Sequence, residues 1–354
     1  MSKGANGLVE RLARGERVLV AEGYIFELER RGYLRAGAFV PEVILEHPDV
    51  VKGLYEEFVH AGSDVVVALQ YYAHREKLRL VGREGDLERL NMEALGLARQ
   101  VATATGTLMA GNLCNTTVYQ RDDPTALEKT RKIFEEQLEW AVKQGADYIV
   151  AETFSEVGEA LLALDVIKSH GNGLPAAVSL SAHEDEVTFD KVPYPVACRQ
   201  LEEAGAAVVG LNCARGPRQT LRIMKEIRRA CKGPIMALPV PYRTTDKEPS
   251  MQTLTDPQTG KRVFPVDLPA VACSRTDIAE FAREAQELGV QYLGLCCGNA
   301  SHYMRVLAEE CGRKPPASRF SPNMKEHFIW GDGTRSSTYY TQGLREAILG
   351  ASNE

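Results

Sequence analysis

Eight short apolar runs, each followed by a longer amphipathic stretch, limit the folds open to this 354-residue chain. They are typical of β-strands and lie at residues 17–23, 64–70, 106–112, 147–152, 175–181, 206–212, 233–239 and 290–296. Repeated β-α units place the strands parallel and cover both faces of the sheet with helices. Eight units over about 310 residues predict an α/β fold, the TIM (β/α)8 barrel. An open doubly wound sheet is the alternative, but no G-x-G-x-x-G follows the first run to support its nucleotide-binding form.

The regular alternation ends before the C-terminus of the chain. We assign residues 1–312 to the barrel and residues 313–354 to a C-terminal extension, which is too polar to be a domain. The extension is expected to pack on the barrel or to serve in oligomerisation. A Pro- and Thr-rich insertion at 239–274 follows the seventh run, and loops of this length often cover active sites.

The charge and hydropathy of the chain exclude several classes of partner. Its net charge is -6 and it has no long block of Lys or Arg, so neither nucleic acid nor an anionic membrane is an expected partner. No run approaches the ~18 apolar residues of a membrane span, and the N-terminus lacks the apolar segment of a signal peptide. We therefore expect a soluble, cytoplasmic protein, and its eight cysteines are expected to be reduced thiols or metal ligands.

Three cysteines follow apolar runs and predict a metal site. Cys213 comes after the sixth run, and Cys296 and Cys297 come after the eighth. In a barrel these nearby strand ends bring three sulfurs together, as zinc–sulfur bonds of ~2.3 Å require. Three protein ligands leave one tetrahedral position open for a substrate atom, which is typical of catalytic zinc. The alternative interpretation is that these cysteines are small packing groups at buried strand ends.

A zinc ion with three thiolate ligands favours one kind of chemistry. It activates water weakly but holds a further thiolate well, because coordination keeps a thiol of ordinary pKa ~8.5 deprotonated at neutral pH. The alkyl donor must then carry a leaving group that departs without protonation, which indicates an onium methyl compound. The residues thus predict alkyl transfer to a thiol, with Zn2+ as the cofactor.

Aromatic and acidic side chains lie near the ends of other runs. Rings that follow the first two runs predict a cage for a quaternary ammonium or sulfonium group, since each ring face attracts such a cation by up to ~2 kcal/mol when desolvated. The cage candidates are Glu22, Tyr24, Phe26, Phe39, Tyr71 and Tyr72. Ordinary core packing is the alternative for Phe26 and one tyrosine. Glu152, which ends the fourth run, suits the ammonium group of an amino-acid acceptor, with a solvated surface acid as the alternative.

Four motifs carry a resemblance to a known family. They are RRGYLRAG at 30–37, AETF at 151–154, GLNC at 210–213 and LGLCCGN at 293–299. Together they resemble the homocysteine S-methyltransferase family, in particular its betaine-homocysteine branch, and the similarity covers about nine-tenths of the chain. The resemblance implies a zinc-bearing TIM barrel. It implies that the three cysteines are zinc ligands, that Glu152 binds the homocysteine amino group and that Tyr72 lies at the betaine site.

The sequence departs from the family pattern around the substrate pocket. The first-strand motif, Asp-Gly-Gly or Asp-Gly-Ala in the family, reads Ala21-Glu22-Gly23, so the acid has moved by one residue. We include Glu22 with Glu152 among the catalytic candidates and Gly23 among the substrate-binding ones. Three other pocket positions differ from the betaine branch, which has Trp, Tyr and a Thr-rich stretch where this chain has Phe39, Thr153 and Ala68-Leu69-Gln70.

These observations predict a homo-oligomeric, zinc-dependent S-methyltransferase that produces methionine from homocysteine. The methyl donor is glycine betaine or a sulfonium compound such as dimethylsulfoniopropionate. Three alternatives stay open: methyl transfer to a different thiol, a module that presents zinc-bound homocysteine to a separate corrinoid methyltransferase, and a barrel in which zinc is only structural.

Overall fold

A closed barrel of parallel strands forms the centre of the computed structural model, which describes residues 7–183, 186–327, 329–331 and 338–349. Over these residues eight strands pair in chain order, and β1 pairs with β8 to close the barrel. The TIM-barrel prediction is therefore confirmed. The strands are β1 (Val18–Ala21), β2 (Val65–Val67), β3 (Leu108–Cys114), β4 (Tyr148–Phe154), β5 (Ala176–Leu180), β6 (Val208–Asn212), β7 (Ile235–Leu238) and β8 (Tyr292–Leu295).

Helices surround the barrel and connect its strands. The α-helices of the described residues are α1 (Leu8–Ala13), α2 (Tyr24–Arg30), α3 (Val43–Glu46), α4 (Pro48–His60), α5 (Arg75–Leu80), α6 (Leu87–Thr105), α7 (Pro124–Lys143), α8 (Val157–His170), α9 (Tyr194–Glu203), α10 (Pro217–Ala230), α11 (Arg275–Glu287), α12 (Ser301–Glu310) and α13 (Thr338–Leu349). Short 3-10 helices lie at Glu84–Asp86, Leu268–Val271, Pro316–Phe320 and Met324–Glu326. No helix within the described ranges has the length and apolar character needed to cross a membrane.

The chain forms two compact units, Met1–Pro316 and Ala317–Glu354. The first contains the barrel. In the second, Arg345 Nε donates to the Ile329 carbonyl at 2.6 Å. Residues 328, 332–337 and 350–354 of the predicted extension lie outside the described residues, and its role in oligomerisation stays a prediction.

The strands are apolar because they are covered on both faces. All their residues are buried except Leu108, which is half-buried. Large side chains fill the barrel interior, as is usual for this fold. Among them the hydroxyls of Tyr148 and Tyr292 hydrogen-bond to each other at 2.9 Å, so that each polar group is satisfied inside an apolar core.

Two strands extend further than the sequence predicted. β3 and β4 continue to Cys114 and Phe154, because pairing between them persists to Cys114 and Glu152. Glu152, which was predicted to end its strand, therefore lies inside β4. The pairing of β4 with β5 is irregular between Ala151 and Phe154. This irregular segment includes Glu152 and Thr153, and Thr153 has a positive φ of 64°.

Candidate active site

A cavity of about 270 Å³ lies among residues at the C-terminal ends of the strands. It receives side chains from or after seven of the strands and from the 239–274 insertion. All the site residues predicted from the sequence border it: Glu22, Gly23, Tyr24, Phe26, Phe39, Tyr71, Tyr72, Glu152, Cys213, Cys296 and Cys297. The residues come from distant parts of the chain, and the barrel places them together.

The three cysteines form a compact group of sulfurs. The Cys213 Sγ lies 3.7 Å from the Cys297 Sγ, which lies 3.9 Å from the Cys296 Sγ. All three sulfurs are within 4.8 Å of one another. Tetrahedral bonds of ~2.3 Å from one metal ion would place its sulfur ligands ~3.8 Å apart. The observed spacing therefore fits a metal ion held by three thiolates.

The surroundings of this group favour negative charge on the Cys213 sulfur, whereas they raise the pKa values of the Cys296 and Cys297 thiols. The thiols of Cys296 and Cys297 hydrogen-bond to the Cys213 sulfur and lower the pKa of Cys213 well below its ordinary value. The side-chain amide of Asn212 is 3.7 Å from the Cys296 Sγ and donates to it. Donors of this kind, placed beside metal ligands, orient the ligands and tune their charge.

Two buried acids lie beside the cysteines. Carboxylate oxygens of Glu22 and Glu152 are within 4.8 Å of each other and of the Cys296 Sγ. Burial raises the pKa of Glu22 well above its ordinary value, and the neighbouring Glu152 raises it further. Burial also raises the pKa of Glu152, to about 7, against the lowering effect of the Asn112 amide. A positively charged ligand between these acids would relieve both the desolvation and the mutual repulsion.

Side-chain donors fix the position of the Glu152 carboxylate. The Asn112 amide donates to Oε1 at 2.6 Å, and the Asn212 amide donates to Oε2 at 2.7 Å. The Thr153 hydroxyl donates to Oε2 at 3.2 Å. Of these three bonds Oε2 accepts two and Oε1 accepts one, so Oε1 keeps a lone pair for a donor of a ligand in the cavity.

The two tyrosines after β2 lie together on the cavity wall. The ring centroids of Tyr71 and Tyr72 are 4.4 Å apart. Lys77, which does not border the cavity, places its Nζ 3.8 Å from the Tyr72 ring centroid. Burial raises the pKa of Tyr72 to about 12, so its hydroxyl is neutral at physiological pH. The pair offers uncharged aromatic surface of the kind that binds methylated cations.

A second aromatic group comes from the first β-α connection and the insertion. Phe26 stacks on Phe39 with ring centroids 5.2 Å apart, and Phe264 of the insertion lies 6.3 Å from Phe26. The ring of Tyr24, by contrast, packs edge-on against Tyr55 and Phe58, so much of it belongs to the core beside the cavity.

Strained backbone is concentrated around the cavity. Four of its residues have positive φ angles without being glycine: Phe39 at 52°, Tyr72 at 57°, Thr153 at 64° and Cys213 at 59°. Bulky residues rarely adopt this conformation, which costs ~1–3 kcal/mol each. Strain of this kind is often found at functional sites, where surrounding contacts hold side chains in a required direction.

Comparison with known proteins identifies the family of this barrel. The model of the family described as homocysteine S-methyltransferase matches residues 22–311, which include the three cysteines, both acids and the tyrosine pair. The chain belongs to the homocysteine S-methyltransferase family. The resemblance inferred from the four motifs is therefore confirmed, and the protein is a methyltransferase.

Two relatives agree with this membership, and a solved structure shares the fold. The chain is 34% identical to betaine–homocysteine S-methyltransferase 1 of Mus musculus, over 98% of this chain and 86% of the relative. It is 35% identical to S-methylmethionine–homocysteine S-methyltransferase BHMT2 of Pongo abelii, over 92% and 86%. The metallated form of the homocysteine methyltransferase MmuM from Escherichia coli shares the fold, with a TM-score of 0.66 at 18% identity, over 85% of this chain and 99% of that one.

Several residues of this methyltransferase's cavity were not anticipated from its sequence. They are Asn112, Asn115, His183, Met251, Gln252 and Phe264. Burial lowers the pKa of His183, and the nearby Cys213 opposes this shift. Their positions in the sequence could have indicated some of them. Asn112, Asn115 and His183 lie in or just after strands, and Phe264 lies in the insertion predicted to cover the site.

Gly23 is required at the contact between β1 and the cysteine pair. Its φ is 80°, and a Cβ there would lie 2.3 Å from the Cys296 carbonyl oxygen. We expect Gly23→Ala in this methyltransferase to reduce the free energy of unfolding by ~1–3 kcal/mol and to weaken metal binding by moving Cys296. Gly53→Ala is the control, because Gly53 lies in α4 with open space around it and alanine should stabilise the helix by ~0.5–1 kcal/mol. Urea unfolding and metal content measure both effects, and equal stability of the two variants would contradict the expectation.

Proposed function

We propose that this chain is a zinc-dependent methyltransferase that moves a methyl group from a small onium donor to homocysteine, giving methionine. The observation that carries the proposal is the group of three cysteine sulfurs, spaced for one tetrahedral metal ion and placed beside the buried acids Glu22 and Glu152. The relatives support it, because their names state transfer from betaine or S-methylmethionine to homocysteine.

Cys213, Cys296 and Cys297 would hold the zinc ion. Bound zinc supplies a Lewis acid that lowers the pKa of a thiol at its open coordination position. The protein contributes the hydrogen bond from Asn212 to Cys296, which stabilises charge on that sulfur. No side chain is needed to remove the thiol proton in the displacement step.

Glu22 and Glu152 bind the ammonium group of the acceptor. The sequence placed Glu22 with the aromatic cage, but its position against Glu152 and Cys296 favours the acceptor side. An ammonium group has three donors, so it can bond to both carboxylates at once. Its charge also offsets the repulsion between two buried acids. The one-residue displacement of the acid in Ala21-Glu22-Gly23 is then accommodated by the longer side chain of glutamate.

The tyrosine pair and the phenylalanines bind the methylated end of the donor. Neutral aromatic surface attracts an onium group and holds the product less strongly after transfer, because the amine or sulfide end of the product has lost its positive charge. Glycine betaine, S-methylmethionine and dimethylsulfoniopropionate all carry such a group. Holding the acceptor sulfur and the methyl carbon in line can supply ~7–11 kcal/mol of the acceleration.

Calorimetric binding of homocysteine to the zinc-loaded protein tests the acceptor and the metal together. We expect tight binding with release of at least one proton, measured in buffers of different ionisation enthalpy, because a thiol of ordinary pKa ~8.5 must ionise on capture. The buried acids Glu22 and Glu152 would release any proton that they carry in addition. Protein treated with a chelator is the control and should not bind. Absence of binding to zinc-replete protein would exclude homocysteine and direct the search to another thiol or a structural metal.

Methyl transfer by the purified protein alone then tests the donor. Each of the three onium compounds is supplied with homocysteine, and methionine is measured. Production of methionine without a second protein would distinguish this enzyme from a module that serves a corrinoid methyltransferase. Cytoplasmic location and homo-oligomeric state stay predictions from the sequence.

A further inference from the structure

The tyrosine pair lies at the centre of a tight turn. The Ala73 amide donates to the Gln70 carbonyl at 2.9 Å, so Tyr71 and Tyr72 occupy the two central positions. Tyr72 has the φ of 57° described above, which is strained for a bulky side chain. A strained turn keeps its conformation only where neighbouring groups hold it. The contacts at its two ends must therefore hold this turn in place.

Two buried side-chain amides hold the ends of this turn, and a third hydrogen-bonds to one of them. The Gln137 amide, from α7, donates to the Gln70 carbonyl at 3.1 Å and to the Ala73 carbonyl at 3.4 Å. The Asn91 amide, from α6, donates to the Ala73 carbonyl at 2.7 Å. The Gln70 amide donates to Asn91 Oδ1 at 2.9 Å. We name Gln70, Asn91 and Gln137 the amide clamp; none is more than 1% exposed.

The amide clamp also reaches the acceptor side of the cavity. Gln70 Oε1 accepts a hydrogen bond from the Asn112 backbone amide at 3.1 Å. The side chain of Asn112 donates to Glu152 Oε1 at 2.6 Å. A continuous series of hydrogen bonds thus joins the tyrosine turn to the acid that we propose binds the acceptor.

We propose that the amide clamp consists of positioning residues, which fix the Tyr71–Tyr72 turn and hence the onium group of the donor relative to the acceptor sulfur. This inference rests on the proposed function. Burying three amides is costly where apolar side chains would fill the same space between α6, α7 and the barrel. Buried networks of this kind rigidify the segments that they join. The segment joined here is the strained turn that borders the donor side of the cavity.

Gln137→Met tests the inference, because methionine keeps the size of the side chain and removes its donors. Gln286→Met is the control: the half-buried Gln286 amide, in α11, also donates to two carbonyls, those of Ala282 and Glu310, but does not border the cavity. The probes are tetramethylammonium and trimethylsulfonium ions, whose binding is measured by calorimetry. We expect Gln137→Met to weaken binding of these probes by at least about tenfold, and Gln286→Met to leave it unchanged. Homocysteine binding should be unchanged in both, because Gln137 takes no part in the bonds from Gln70 through Asn112 to Glu152.

Two further readouts separate positioning from general stability. In turnover, Gln137→Met should raise the donor KM and lower kcat without changing the acceptor KM, whereas a purely structural loss would lower thermal stability alone. Hydrogen exchange of residues 68–74 should be faster in Gln137→Met than in Gln286→Met at matched stability. This second measurement needs no substrate, and it applies equally to a variant Asn91→Leu if Gln137→Met does not fold.

The possible results distinguish failure of the inference from failure of the proposed function. Normal methyl transfer with unchanged probe affinity and exchange in Gln137→Met would overturn the inference and leave the proposed function intact. Absence of methyl transfer in the wild-type protein, with probe affinity still lost in Gln137→Met, would overturn the proposed function and keep the clamp as the element that forms an onium site. A wild-type protein that transfers methyl groups but does not bind either probe would overturn the inference.

Discussion

Replacing Cys297 by serine is expected to abolish metal binding and methyl transfer together while leaving the barrel folded. The Cys297 Sγ lies within 4 Å of both other sulfurs, so its loss leaves two of the three proposed ligands. A serine hydroxyl is a harder and much weaker ligand for a thiolate-bound metal ion. Loss of a residue that merely orients a ligand costs ~10–100-fold in metal affinity or activity, and we expect loss of a ligand to exceed that range.

The control for this experiment is Cys311→Ser. Cys311 is half-buried like Cys297 but follows α12 and does not border the cavity. It should keep its zinc, its activity and its thermal unfolding temperature. Zinc is measured by elemental analysis of dialysed protein, with circular dichroism to confirm folding. Full activity of Cys297→Ser without zinc would exclude the proposed metal chemistry.

The sequence predicted the barrel well because its signal is local. Each strand is buried on both faces, so each is a continuous apolar run that is visible without knowledge of the fold. Strand ends are less visible, because they depend on pairing. β4 continues through Glu152 to Phe154 since β3 lies beside it, and no local feature of AETF indicates this.

Some residues of the candidate site could likewise be predicted from the sequence, and others could not. Its cysteines, acids and tyrosines follow strands, so the barrel prediction alone was enough to place them at one end. Residues such as Phe264 and His183 reach the cavity from an insertion and a loop, whose courses the sequence does not determine. The amide clamp did leave a trace, because Asn91 and Gln137 interrupt the buried faces of α6 and α7. A polar residue on such a face indicates a buried partner but does not identify it.

Replacing Glu152 by glutamine is expected to raise the acceptor KM by ~10- to 100-fold, because the change removes a charged partner of the ammonium group. The donor KM should change little, since the proposed donor wall consists of neutral rings. In the wild-type protein the amides of Asn112 and Asn212 both donate to Glu152. The NH₂ group of glutamine would face one of these donors, and two facing donors would destabilise the fold. Thermal unfolding is therefore measured alongside the kinetics.

The pH dependence of acceptor binding separates the carboxylate from the thiol. Burial raises the pKa of Glu152 to about 7, so the acid loses its charge as the pH falls through this value in the free protein. The acceptor thiol must also lose a proton on binding, from an ordinary pKa of ~8.5. Homocysteine affinity of the wild-type protein should thus fall by about tenfold per pH unit between pH 8 and pH 7, and more steeply below pH 7. In Glu152→Gln this steeper part should be weaker, because Glu152 no longer titrates and the raised pKa of Glu22 still contributes.

Glu159→Gln is the matched control for this pair of measurements. Glu159 is also a buried acid whose pKa burial raises to about 7, but its Oε1 accepts from the backbone and hydroxyl of Thr116 and it does not border the cavity. Glu159→Gln keeps an oxygen that can accept both bonds. The acceptor KM should therefore be unchanged, and homocysteine affinity should still fall more steeply below pH 7. If Glu159→Gln and Glu152→Gln changed the acceptor KM equally, the effect would come from the general cost of altering a buried acid, and Glu152 would not be the ammonium partner. A larger effect of Glu152→Gln on the donor KM than on the acceptor KM would instead assign this carboxylate to the onium group.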